Sequence, residues 1–317
     1  MSAAGSRAVL EVITPGILAT VQDLGRPGYQ AQGVPVSGAM DPFSLQAGNM
    51  VLGNPRGAAA LEIAVRGPSI RVLDDIAVCV FGADLGVSVD GVLVPRGQGL
   101  PLSSGQVISF GGQRAGAWTY LCVEGGLDVP IVLGSRSTCM RARLGGVGGR
   151  SLQAGDILQA FPPEGARRRA AVPVQEFPRH LSLRAVPGPQ DSMFLPGSIE
   201  SFFSAEFMVT PQSDRMGYRL QGPALTLRDR ADILSDGTAL GAVQVPAGGQ
   251  PIVLMADRQT TGGYPKIATV ISADVPRLAQ LPAGGIVTFT RVSVEEAQDA
   301  AVEQARVLDS LERAARG

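Results

Sequence analysis

The 317-residue sequence contains little histidine and little cysteine. With His180 as the only histidine, a Ser-His-Asp triad, a Cys-His pair or a zinc site is difficult to build. The three cysteines, Cys79, Cys122 and Cys139, are odd in number and stand among apolar residues. This pattern predicts buried thiols in a reducing cytoplasm, and not a disulfide framework. We therefore expect a cytoplasmic protein without a metal site.

Long apolar runs and a strong charge of either sign are also missing. The longest apolar runs, Ile76 to Ala83 and Pro251 to Ala256, are too short to span a bilayer. The first residues, Met1 to Arg7, are small and polar with no apolar segment behind them, which predicts no signal peptide. The formal net charge is −1. We expect neither a nucleic acid nor a membrane as partner.

Lys266 is the only lysine, and every other permanently cationic side chain is arginine. Lys266 ends a run of polar residues and glycines at 257–266. An ammonium is a compact charge that can serve as proton donor or can bind an oxyanion. Chance survival of one lysine at a strand end is the alternative interpretation. No phosphate-binding Gly-Lys-Ser/Thr loop surrounds it, so any ATP site is unconventional or lies on a partner.

Glycine and proline are abundant, with 41 and 23 residues, and they bound many short apolar runs. This pattern is typical of β-barrels and sandwiches. Residues 89–92 carry an Asp-Gly pair that favours a two-residue hairpin turn. The clearest predicted strands are 76–81, 87–89, 107–110, 118–123 and 252–255.

Three helices are predicted from their start signals. The first begins at Asp41 with a proline at its first position, the second begins at Ser198, and the third begins with a capping box from Ser293 to Glu296. One face of the third helix should pack on a barrel or on a neighbouring subunit. That face consists of Val294, Ala297, Ala301, Ala305 and Leu308.

A proline- and arginine-rich segment, which includes Arg167 to Arg169, divides the chain into two β-rich halves. The halves share landmarks in the same order, since residues 22–29 resemble 212–218, which favours a duplicated domain over coincidence. We predict an N-terminal domain, a linker, a C-terminal domain and a C-terminal helix at residues 1–165, 166–180, 181–292 and 293–317.

The candidate site combines two polar clusters of the second half. We expect Lys266, Asp257 and Asp214 to be catalytic, since aspartate can act as base and lysine as acid or electrostatic anchor. A glycine pair lets a substrate approach the backbone, and arginine can clamp a carboxylate. The expected substrate-binding residues here are Gln212, Arg215, Arg219, Gln244, Arg258, Gln259, Thr260, Thr261, Gly262, Gly263 and Tyr264.

In each half, the candidate residues also have an alternative interpretation, in which they only stabilise the local structure. In the second half, Asp257 with Arg258 and Asp214 with Arg215 would be ion pairs that hold loops in place. In the first half, Arg26 and Ser37 lie in glycine-rich motifs and are further candidates for substrate binding, with a loop and a helix cap as the alternative.

Several long motifs together resemble the biotin-dependent carboxyltransferase, or allophanate hydrolase subunit 2, family. They lie at residues 21–29, 33–41, 133–138, 210–219 and 257–270, within a similarity that extends from Ile13 to Val292. One departure is Asp236, where the family pattern has glutamate before glycine. The resemblance implies a mainly β fold of two tandem cyclophilin-like β-barrels with a few short helices and a C-terminal helix.

The resemblance also implies a function and partners. It implies a subunit of an ATP-dependent complex that opens 5-oxoproline to glutamate, together with a B-type subunit of the same family and an A-type subunit. The alternatives are a carboxyltransferase that acts on urea or a similar amide with biotin presented by a partner, and a non-catalytic protein that antagonises its B-type partner. Lys266 is flanked by proline and isoleucine, unlike a biotin attachment turn, so we expect no covalently attached biotin.

Overall fold

The computed structural model describes residues 5–163, 171–229 and 232–316. These residues are mainly β, with four α-helices. They divide into two compact units. The first is drawn from Met1–Arg26, Ser37–Phe177 and Arg306–Gly317, and the second from Pro27–Val36 and Pro178–Ala305.

The first unit contains two sheets, with strand orders β11-β12-β1-β4-β9-β6-β7 and β2-β3-β10-β5-β8. Alternating apolar side chains from both sheets form one buried core. Asp90 and Gly91 both have positive φ, so the predicted hairpin turn is confirmed. The strands are β1 (Arg7–Thr14), β2 (Leu18–Gln22), β3 (Ala60–Ala64), β4 (Ser69–Val72), β5 (Ile76–Asp84), β6 (Ser88–Val89), β7 (Val92–Leu93), β8 (Gly99–Leu102), β9 (Val107–Ser109), β10 (Ala115–Val123), β11 (Leu127–Asp128) and β12 (Ile157–Ala160).

Helix α1 (Pro42–Val51) begins where the sequence predicts, with Asp41 as its cap. The Asp41 carboxylate accepts hydrogen bonds from the Ser44 backbone N–H at 3.0 Å and from the Ser44 hydroxyl at 2.6 Å. The helix packs on β5 and β10, which carry Cys79 and Cys122. All three cysteines are buried free thiols, as predicted.

The second unit is a closed barrel in the order β13-β20-β17-β18-β15-β14-β21, completed by parallel pairing of β13 with β21. Phe202 stacks on Phe289 inside it, with ring centroids 4.3 Å apart. A separate two-stranded sheet pairs β16 with β19. The strands are β13 (His180–Pro187), β14 (Phe207–Val209), β15 (Gly217–Gln221), β16 (Asp236–Gly237), β17 (Ala242–Gln244), β18 (Ile252–Leu254), β19 (Thr261–Gly262), β20 (Lys266–Val270) and β21 (Ile286–Arg291).

Three further helices belong to the second half of the sequence. Helix α2 (Pro196–Ser204) begins two residues before the predicted start, because Pro196 can occupy its first turn. Helix α3 (Val275–Ala279) was not predicted, since five residues are too few to show a helical period. Helix α4 (Val294–Arg316) begins with the predicted capping box, whose reciprocal bonds between Ser293 and Glu296 measure 2.7 and 3.1 Å.

The predicted apolar face of α4 is mostly open in this chain. Leu308 is its one buried member, and Val294 and Ala305 are exposed. The last turns are held within the first unit by charge, because Arg56 pairs with Asp309 at 2.7 Å and with Glu312 at 2.6 Å. The expected packing of this face on a barrel is therefore limited to its C-terminal end.

The predicted linker lies partly outside the described residues, and this includes the arginine run Arg167 to Arg169. In its described part, Val172 is buried and donates a hydrogen bond to the Gly97 carbonyl at 2.7 Å, and His180 is the first residue of β13. The boundaries at 166 and 180 stay predictions. No helix in the described ranges combines the length and apolar character needed to cross a membrane.

Candidate functional site

Lys266 and Gln244 are paired across strands β20 and β17 of the barrel. Residues paired directly across neighbouring strands point to the same side of a sheet. The interior row consists of the buried residues Tyr218, Val253, Val243 and Ala268. The next cross-strand row consists of Arg219, Ile252, Gln244 and Lys266, and the register between β17 and β20 shifts between Val243 and Gln244.

Lys266 and Gln244 are only 4% and 2% exposed. Gly262, in the pair of strands β16 and β19, lies against the Gln244 amide. We call this strand pair the flap. A Cβ atom at Gly262 would come closer to the Gln244 Nε2 atom than van der Waals contact allows, so a side chain there would displace the Gln244 amide. Gly263 has room for a side chain, because the nearest atom would be 3.5 Å from its Cβ.

The Lys266 ammonium reaches one carboxylate. Its Nζ atom lies 3.2 Å from Oδ2 of Asp236 on the flap, whose side chain is 57% exposed. The Gln190 side chain bonds the same carboxylate, and its Oε1 accepts from the Lys266 backbone N–H at 3.2 Å. The Lys266 ammonium, together with the Gly237 N–H, lowers the pKa of Asp236, so this carboxylate is ionised at neutral pH.

Gln244 presents a buried donor. Its Oε1 atom accepts a hydrogen bond from Gln259 Nε2 at 3.2 Å. Its Nε2 group has no partner among the described residues. Leaving a buried amide donor unpaired costs about 1–3 kcal/mol, and native structures rarely retain such a group without a reason. A ligand oxygen beside Lys266 would satisfy it.

Arg258 is a second cation at the flap. Its Nε atom donates to the Thr238 carbonyl at 3.3 Å, and one terminal nitrogen donates to the Met255 carbonyl at 3.4 Å. Burial lowers the pKa of Arg258. Within the described ranges, no carboxylate forms an ion pair with it. The flap region thus carries two cations and one carboxylate.

Arg215 and Asp257 are both buried and hold each other. The Arg215 Nε and Nη2 atoms donate to the two Asp257 oxygens at 2.8 and 3.0 Å. This pairing differs from the ion pairs that the sequence suggested, Asp257 with Arg258 and Asp214 with Arg215. A bidentate, desolvated pair of this kind occupies the groups that would otherwise act as base and carboxylate clamp.

The remaining candidates of the second unit are spread around the barrel. Asp214 is exposed and accepts from the Met216 and Gly217 N–H groups at 2.8 and 3.2 Å, as in an Asx turn. Gln212 and Arg219 line an open groove of about 490 Å³. Arg219 stands three strands from Lys266 in the same cross-strand row, or roughly 14 Å at the usual strand spacing. Of the other candidates, Thr260 lies beside the flap, Thr261 lies in it, and Tyr264 is exposed.

The first-unit candidates occupy a different polar cluster. Arg26 is 1% exposed, donates to the backbone carbonyls of Ser137 and Val132, and has one terminal nitrogen without a partner in the described chain. Ser37 is buried with φ of 57°, a conformation that strains most side chains, and its hydroxyl also lacks a partner in the described ranges.

Asp23 organises this first-unit cluster, although the sequence did not single it out. Its carboxylate accepts from the Gly25 N–H at 2.7 Å, from the Arg136 N–H at 2.6 Å, and from the hydroxyls of Ser135, at 2.6 Å, and Ser137. The motifs at 21–29 and 133–138 are thereby joined, and their spacing of more than 100 residues gave no signal for this pairing.

Three residues at the flap were missed or left without a role. Asp236 was noticed only as a departure from a pattern, and Gln190 and Thr238 were not predicted. The Thr238 N–H donates to the Thr260 carbonyl at 3.0 Å, and its hydroxyl donates to the Gln259 carbonyl. The described residues contain no group of His, Cys, Asp and Glu side chains arranged to hold a metal ion.

The family model of the carboxyltransferase domain, subdomains A and B, matches residues 32–291. The chain belongs to this family. Both the recognition of the family and the expectation of a mainly β fold with few helices are therefore confirmed.

Named relatives extend the similarity over nearly the whole chain. The chain is 38% identical to the C-type subunit of 5-oxoprolinase from Haemophilus influenzae, a match that covers 96% of this chain and 98% of the relative. It is 40% identical to the same 5-oxoprolinase subunit of Escherichia coli, with coverages of 96% and 97%. The solved structure of K. lactis urea amidolyase matches 98% of this chain with a TM-score of 0.90 and 28% identity, over 20% of that larger chain.

Proposed function

We propose that this chain is a subunit of an ATP-dependent 5-oxoprolinase complex that hydrolyses 5-oxoproline to glutamate. The observation that carries the proposal is the end-to-end match with two proteins named as the C-type 5-oxoprolinase subunit. The matches cover 98% and 97% of these relatives. The urea amidolyase match covers only a fifth of that chain.

The chemistry of the flap region supports this proposal. Hydrolysis of a lactam breaks its C–N bond after attack at the carbonyl carbon, so negative charge develops on the carbonyl oxygen. Lys266 and the unpaired Gln244 N–H group would stabilise that charge in a site shielded from water. Arg258, which lacks a carboxylate partner among the described residues, would attract the carboxylate of 5-oxoproline.

The partners and ATP belong to the same proposal. The relatives are named as subunits, which supports work within a multi-subunit complex. We propose a B-type subunit and an A-type subunit as the partners, in the cytoplasm. The sequence has no conventional phosphate loop, so ATP would be bound by a partner or at an unconventional site. The isolated chain should then show little or no turnover.

Reconstitution tests the proposal. The purified chain is combined with A-type and B-type subunits, and phosphate release and glutamate formation are measured with and without 5-oxoproline. We expect 5-oxoproline-dependent release of phosphate in the full mixture alone. Robust turnover by this chain alone, or none by the full mixture, would contradict the proposal.

A second candidate is a biotin-dependent carboxyltransferase with biotin presented by a partner, favoured by the structural match to urea amidolyase. In the same reconstitution, urea-dependent activity that avidin abolishes would support it. Avidin-insensitive opening of 5-oxoproline would count against it. A regulatory protein that antagonises its B-type partner would bind that partner and give no substrate-dependent phosphate release.

A further inference from the structure

Hydrogen-bond donors outnumber acceptors beneath the flap. Lys266 contributes an ammonium with three donors, and Gln244 contributes an N–H group without a partner in the described chain. The Gln190 amide adds another donor directed at the same place. The carboxylate of Asp236 meets the donors of Lys266 and Gln190, and the Gln244 donor stays unpaired in the described chain. A site with this composition is complementary to an anionic oxygen.

Asp236 is poorly anchored compared with the groups it meets. Its side chain is 57% exposed, whereas that of Lys266 is 5% exposed. It stands on a strand of two residues that pairs only with another strand of two residues. Once displaced, the exposed Asp236 carboxylate would be hydrated, and the buried Lys266 ammonium would stay paired with the incoming oxygen.

We propose that Asp236 is an internal ligand of Lys266, which occupies the empty site and which an incoming anionic or partly charged oxygen of the substrate displaces. The substrate class of this inference, an oxyanion or carbonyl oxygen, rests on the proposed function. The displacement itself does not, because it follows from the donor excess and from the exposed position of Asp236. Asp236 is thus a competitor that sets the apparent affinity of the site.

The single lysine provides a direct readout. In the full chain labelled with 13C-lysine, the side-chain NMR signal comes from Lys266 alone. This signal is titrated with acetate, as a minimal anionic oxygen, and separately with 5-oxoproline. Three variants are compared with the wild type: Asp236→Asn, Asp236→Glu and Asp232→Asn. Asp232 is exposed and lies four residues before Asp236, so its variant changes the net charge equally and serves as the matched control.

We expect Asp236→Asn to lower the Kd of acetate at Lys266 by about fivefold, because acetate would no longer have to displace a competing carboxylate. Asp236→Glu should remain close to wild type, because it retains the competing carboxylate. Asp232→Asn should leave the Kd unchanged. An unchanged or raised Kd in Asp236→Asn, or equal effects in both Asn variants, would overturn the inference.

A second measurement uses no substrate. Acylation of Lys266 by a small acylating reagent that reacts with amines is followed by peptide mass spectrometry. The N-terminal amine serves as the internal reference. Asp236→Asn should accelerate acylation of Lys266 relative to that reference, because the carboxylate no longer covers the ammonium. An unaltered rate would overturn the inference. If 5-oxoproline fails to bind while acetate and acylation respond as expected, the proposed function fails and the role of Asp236 stands.

Discussion

The two polar clusters of this protein differ in their balance of donors and acceptors. In the first unit, the Asp23 carboxylate receives four hydrogen bonds from two loops, and it holds those loops together. In the second unit, Lys266 and Gln244 present buried donors to one exposed carboxylate, that of Asp236. A carboxylate saturated with donors, such as Asp23, stabilises the fold, whereas spare donors, such as those of Gln244 and of Arg26 in the first unit, are available to a ligand.

The buried pair of Arg215 and Asp257 belongs with the saturated type, although both residues are near the candidate site in sequence. Replacing one member should therefore destabilise the fold more than it alters a reaction. The following experiments test that division, beginning with the largest expected effect.

Arg215→Met should lower the free energy of unfolding by about 3–5 kcal/mol, because Asp257 would remain buried without its partner. Urea denaturation followed by circular dichroism measures this change. The control is Arg71→Met, which breaks an exposed pair with Glu11 and should cost less than about 1 kcal/mol. Unaltered stability with loss of activity would place Arg215 in the reaction instead.

Lys266→Met should reduce turnover of the reconstituted complex about 100- to 1000-fold, the usual cost of one lost oxyanion donor. The unfolding midpoint should change little, since the carboxylate that pairs with Lys266 is exposed and methionine is compatible with a buried position. Lys266→Arg should fail nearly as badly, because a planar guanidinium does not fit a site shaped for a compact ammonium. Near-normal turnover in Lys266→Arg would show that any cation is sufficient there.

Asp23→Asn should cost about 2 kcal/mol of stability, since an amide nitrogen would face donors that now bond a carboxylate. Thermal unfolding of the full chain measures it, with Asp232→Asn as an exposed control that should be neutral. If both variants unfold alike, the first-unit cluster is not the structural element described above.

Gly262→Ala should cost about 1 kcal/mol, because its methyl group would push the Gln244 amide aside. Gly263→Ala is the matched control, since the adjacent glycine has room for a Cβ. The measurements are substrate affinity in the complex and the denaturant midpoint. Both should be lower for Gly262→Ala than for Gly263→Ala. Equal behaviour would mean that the flap does not press on Gln244.

Local chemistry made part of the fold predictable from the sequence. The cap at Asp41, the turn at Asp90 and Gly91 and the capping box at Ser293 each depend on a few neighbouring residues. Helix α3 escaped prediction because five residues are too few to show a helical period. Closure of the barrel through β13 and β21 joins residues about 100 positions apart, and no local pattern records such a pairing.

Composition and motifs were sufficient to establish the mainly β character, the family, and the importance of the segment that ends at Lys266. Which partner each polar group has, and whether it is buried, became clear only in the folded chain. Folding joined Arg215 to Asp257, placed Gln244 next to Lys266 and brought Asp236 to the ammonium. The physical reason is that residue type fixes what a side chain can donate or accept, whereas satisfaction depends on burial and on partners that the folded chain alone brings within reach.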